Sequence, residues 1–144
     1  MKLDEIGEFG FIEHFKNWEV VLEKQASLVK SGGLLVVSTP NFRGFVQRLF
    51  HCFFDKKNYD LHNIISMDPK RWAEIVHSSG FDIIFAGYFG RFHFWTDYRD
   101  DNLLTKIAAK ILRLIVKASI AIGYILPQGI GFYAPHCGLV ARKL

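Results

Sequence analysis

The period of the hydrophobic positions changes several times along the chain, and each change marks an element. Leu34 to Val37, with Thr39, form an apolar and β-branched run without strict alternation, as in a parallel strand covered by helices on both faces. Gly32 and Gly33 precede this run, and Pro40 with Asn41 end it, so a buried strand is predicted over Leu34–Thr39. Its carboxyl end, Thr39 to Asn41, lies where ligands of open α/β sheets gather. Upstream, Leu3, Ile6 and Phe9 alternate with Asp4, Glu5 and Glu8, and the glycine that follows favours a strand over Leu3–Glu8. Gly10 to Phe15 then reads as a loop. Asn17 is the expected N-cap of a helix over Trp18–Lys30, with an apolar stripe at Trp18, Val21, Leu22, Leu28 and Val29 that Gln25 interrupts. Gly32 supplies a left-handed stop. Strand, loop, helix, glycine and strand make one right-handed crossover unit.

Phe45, Val46, Leu49, Phe50, Phe53 and Phe54 have helical spacing within Arg43–Phe54, either as core or as a cover over the crevice. Lys56 to Asn63 is polar and reads as a loop. Asp68 as N-cap, Pro69 at the first helical position and Gly80 as stop frame a helix with Trp72, Ile75, Val76 and Ser79 on one face. Phe81 to Phe89 is a second buried strand. Asn102 starts a long helix from Leu103 to about Leu126, in which Lys106, Lys110, Arg113 and Lys117 recur every three or four residues as a cationic stripe. Phe132 to Lys143 is the last strand, at an edge or starting only after Pro135.

Charge changes this picture at one end. The net charge is +4, too small to imply nucleic acid without a clustered basic patch. Residues 1–30 carry four lysines against six carboxylates, whereas residues 101–144 carry six cations against Asp101 alone. The uncharged run Ala118–Gly131 is shorter than the ~20 residues of a membrane span. The basic helix either covers core with its lysines in water or lies on an anionic membrane surface. Cys52 and Cys137 are far apart with no partner at metal-ligand spacing, so neither a metal centre nor a disulfide framework is expected, and idle thiols in a reducing compartment are. No secretory signal opens the chain, and a cytoplasmic protein, peripheral to a membrane if the basic helix meets lipid, is expected.

The succession GFIEHF, helix, KSGGLLVVSTPNF, LHN, a helix ending in SSGF, a strand and YAPHCGLVARK resembles the second half of a class I S-adenosylmethionine-dependent methyltransferase of the small-molecule group. The resemblance covers nearly the whole chain and is loosest over residues 90–131. It implies an α/β fold, a partial Rossmann-like sheet whose strands four to seven are Leu3–Glu8, Leu34–Thr39, Phe81–Phe89 and Cys137–Lys143. The last of these would run antiparallel between its neighbours. Residues 1–144 are then a single partial domain, the substrate-side half, with 101–131 a helical insertion before the final strand. The family's first strands, its glycine-rich loop and the acidic residue that holds the ribose have no counterpart, because nothing reads G-x-G-x-G. Weak or no cofactor binding by this chain alone follows, as does self-association or a completing chain at an open sheet edge.

The intact family displaces a methyl group from a sulfonium, a reaction that needs in-line positioning and sometimes a base. The resemblance puts Glu8, Gly10 and Phe11 against the cofactor, Glu8 standing where relatives carry a small residue. His14, with Glu13, is the candidate base, or else the pair fastens the loop to the next helix. Asn41 and His62 are the candidate substrate residues, with turn formation and a structural hydrogen bond as their alternatives. Phe92, Phe94, Trp95 and Tyr98 line an apolar acceptor pocket or belong to the core. The resemblance implies a small-molecule acceptor. The alternative reading is a non-catalytic membrane-surface or protein-interaction module on the same scaffold.

Overall fold

The structure, a computed structural model, describes residues 2–95 and 103–144, with the side chains of residues 103–109 left aside. In chain order it contains β1 (Leu3–Phe9), a 3₁₀ turn (Ile12–His14), α1 (Trp18–Leu28), β2 (Val29–Pro40), α2 (Phe45–Phe54), α3 (Lys56–Asp60), a second 3₁₀ turn (Ile64–Ser66), α4 (Pro69–Ser78), β3 (Phe81–Phe89), α5 (Leu103–Gly123) and β4 (His136–Lys143). The strands form one sheet in the order β1-β2-β4-β3. β1 runs parallel to β2, and β4 runs antiparallel to both β2 and β3, between them. The sheet is mixed α/β, with the last strand inserted as the resemblance implies.

The core lies on one face of the sheet, between the strands and the helices α1 and α4. Leu35 and Val37 on β2, Leu139 and Ala141 on β4 and Phe81 on β3 meet Trp18, Leu22, Trp72 and Val76. The opposite face is only half-covered: Leu34, Val36 and Val140 are half-buried, and Ile84 and Phe85 on β3 are exposed. Cover on both faces, expected from the unbroken apolar run, is therefore not what the described residues show. The apolar run of β2 instead has a fully buried face and a half-buried one. β3, also expected to be buried, is an edge strand with only Phe81 fully enclosed.

Local chemistry accounts for most element ends. Asp68 accepts from the backbone N–H groups of Lys70 and Arg71, and Pro69 follows at the first position of α4, so that helix starts where its caps dictate. Asn17 makes no such side-chain bond at the start of α1. α1 also stops at Leu28, before Lys30, because Val29 already belongs to β2. Gly32, with φ +79°, falls inside the entry to β2 and is not a helix stop. Next to it, a Cβ on Gly33 would stand 2.6 Å from Asp4 O, so the two strands approach where no side chain fits. Residues 56–60, expected as loop, form the short helix α3, held by Lys56 pairing with Asp60 one turn on.

Candidate functional site

The parallel strands β1 and β2 end side by side, and Gly10 turns the chain away with φ +70° while its N–H donates to Ser38 O at 2.8 Å. Across β2, Pro40 stands opposite His136, the first residue of β4. Between these ends lies a pocket of about 380 Å³ lined by Phe9, Gly10, Ser38, Thr39, Pro40, Phe89, Trp95 and His136. Its place, outside the carboxyl ends of parallel strands, is the one expected from the order of elements.

Aromatic rings form its wall. Trp95 stacks on His136 with centroids 5.5 Å apart and planes at 19°, and Phe89 also stacks on that imidazole, at 5.6 Å. Burial, and after it His93, holds His136 below the ordinary histidine range, so the ring is neutral at pH 7. Thr39 Oγ1 and Cys137 Sγ are 3.2 Å apart. Burial pushes the Cys137 thiol up to about 12, which makes it inert as a nucleophile.

Of the expected residues, Gly10 lines the pocket, and Glu8, Phe11, Glu13, His14, Asn41 and His62 do not. Phe11 is 46% exposed and packs on Phe15. Glu8 points to the α1 side of the sheet, where Gln25 Nε2 donates to its Oε2 at 3.2 Å; the residue that interrupts the apolar stripe of α1 is the one that meets this carboxylate. Burial pushes Glu8 up to about 7, and the Glu13 charge adds to the rise against the Gln25 bond. Asn41, expected at the substrate, has its amide fully engaged: Nδ2 donates to Gly131 O and Ala134 O, each at 2.9 Å, and Oδ1 accepts from Gly44 N at 3.0 Å. These bonds tie the turn after β2 to the segment before β4. His62 Nδ1 lies 2.6 Å from Asn58 O, and its ring meets Phe42 and His14. Of the expected acceptor-pocket aromatics, Trp95 lines the cavity, Phe92 and Phe94 pack on each other and under Phe50 and Tyr133, and Tyr98 lies outside the described residues. His136, Phe9, Ser38 and Phe89 went unassigned in the sequence. Only Pro135, just before β4, could have flagged His136, which stands opposite Pro40.

No protein-family model matches the sequence, and no curated protein matches it. Among solved structures, the chain is similar to a SAM-dependent methyltransferase from Archaeoglobus fulgidus, at a TM-score of 0.56 and 18% identity. The match takes in 99% of this chain and 60% of that one. The two share a fold. This chain thus spans under two thirds of the length of the methyltransferase that it resembles, and its described sheet has four strands.

Proposed function

We propose that the chain carries the acceptor-side part of an S-adenosylmethionine-dependent methyltransferase acting on a small molecule. The observation that carries this reading is the sheet order β1-β2-β4-β3 with the pocket at the carboxyl ends of its parallel pair. S-adenosylmethionine supplies a methyl group activated by a sulfonium charge. The aromatic lining of Phe9, Phe89 and Trp95 suits such a cation, while Ser38, Thr39 and His136 are the polar lining residues. Among the described residues, the lining offers neither a carboxylate for a ribose nor a cation for an amino-acid carboxylate.

Titration of the chain with S-adenosylhomocysteine, followed by tryptophan fluorescence and calorimetry, tests the reading. The expected Kd is near ~1 mM, about −4 kcal/mol, with at least a several-fold loss in Trp95→Ala. Binding that Trp95→Ala leaves unchanged overturns the role of this pocket, and Kd near ~1 μM overturns the partial pocket.

A second reading is favoured by α5. At about 100° per residue, Lys110, Arg113 and Lys117 occupy one outward sector and Ile111, Leu114 and Ile122 the adjoining one. All six are exposed. A helix with charged and apolar sectors side by side suits the interface of an anionic lipid surface, independent of catalysis.

A further inference from the structure

The loop after β1 and the segment after α3 are laced together beside the pocket. Asn63 N donates to Glu13 O at 2.6 Å, and Asn63 Nδ2 donates to Phe15 O at 2.9 Å. His14 Nδ1 faces Leu61 O at 3.4 Å, across 47 residues of sequence. This lacing brings a carboxylate oxygen of Glu13 and one ring nitrogen each of His14 and His62 within 4.8 Å of one another.

Two further observations single out this cluster. Glu13 is 0% exposed, and neither carboxylate oxygen has a hydrogen-bond partner among the described residues. A buried carboxylate is ordinarily met by N–H donors or a cation, so an orphaned one asks for an occupant. The histidines are pre-oriented as well. His14 Nδ1 stands 3.4 Å from Leu61 O and His62 Nδ1 2.6 Å from Asn58 O, so backbone carbonyls fix both rings, whose centroids lie 4.8 Å apart.

We propose that Glu13, His14 and His62 bind a divalent first-row transition-metal ion. Two imidazoles and one carboxylate are the donor set of zinc and iron(II) sites, and the nitrogen donors disfavour magnesium and calcium. Ligand atoms ~2.1 Å from one ion stand ~3.4 Å apart, so the widest pair closes by ~1.4 Å, a movement open to the exposed His14. Sequence spacing hides the site because His62 comes from a distant loop. Three protein ligands leave the ion open positions. Glu13 Oε1 lies 3.4 Å from where a Cβ on Gly10 would stand, and Gly10 lines the pocket, so an oxygen-bearing ligand there is the natural further donor.

The test is titration of the whole 144-residue chain with Co²⁺, followed by visible absorption, and with Zn²⁺ by calorimetry. One equivalent is expected to bind, with His14→Gln and His62→Gln each weakening affinity at least ~10-fold and His77→Gln, on the exposed end of α4, leaving it unchanged. Glu13→Gln is expected to abolish the Co²⁺ spectrum. Should that buried variant fail to fold, the exposed His14→Gln carries the result. Absence of stoichiometric binding, or binding indifferent to both histidine variants, overturns the site, and displacement of Co²⁺ by equimolar Mg²⁺ overturns the choice of ion.

Discussion

Glu8 and Glu13 are two buried acids whose charged forms burial disfavours, against the Gln25 bond at Glu8 and the nearby His14 at Glu13. Burial lifts Glu8 from 4.5 to about 7. The folded chain therefore holds a proton more tightly than the unfolded one across that window. Stability from this group is complete below about pH 4.5 and is lost as pH rises through 7. At 1.36 kcal/mol per unit the ceiling is about 3 kcal/mol. In urea denaturation with a chelator present, wild type is expected to weaken from pH 5 to pH 8. Glu8→Gln should fall less steeply and exceed wild type at pH 8 by ~1–3 kcal/mol. A wild-type profile flat over that range contradicts the burial penalty. The sequence marked Glu8 as unusual, but not that its partner would be Gln25, since facing between β1 and α1 is a matter of register.

Elements were legible where their ends carry their own chemistry. α4 is framed by Asp68, Pro69 and Gly80, and the structure uses all three. Asp68 also pairs with Arg43, linking α4 to the turn after β2. Asp68→Ala should cost ~1–2 kcal/mol in thermal or urea unfolding, and Asp68→Asn, which keeps the cap, should recover most of it. The start of β2 was not legible, because Val29 continues the apolar stripe of α1 and a positive-φ glycine reads alike as helix stop and as strand bend. α3 was missed since none of its residues is buried and it leaves no hydrophobic period. α5 matches its reading as a basic amphipathic helix, and no helix among the described residues is long and apolar enough to cross a membrane. If its exposed face meets lipid, the chain pellets with phosphatidylserine vesicles at low salt, and Lys110→Glu with Arg113→Glu releases it. Equal pelleting of that variant would remove the lipid reading.

For the whole molecule, the strand order came from the family resemblance, since periodicity says that a strand exists and not where it pairs. The pocket's position followed from that order. The Glu13–His14–His62 cluster did not, because it depends on how two loops meet. β1 forms one edge of the sheet, with Leu3 and Phe9 exposed on it. An edge strand presents unpaired backbone groups that invite pairing, and the exposed Asp4 and Glu5 oppose it only at one end. Sedimentation velocity is therefore expected to show larger species as concentration rises, and a single monomer boundary throughout would show that the edge is protected.

The insertion of β4 also sets an order of events during synthesis. β2 and β3 share no hydrogen bonds, and each depends on a strand translated after both. Until that strand has left the ribosome, the nascent chain holds two unmatched ladders and only the local β1–α1–β2 unit to build on. Completion of the sheet must wait for it, because joining β2 to β3 needs pairings distant in sequence, the kind that slow folding.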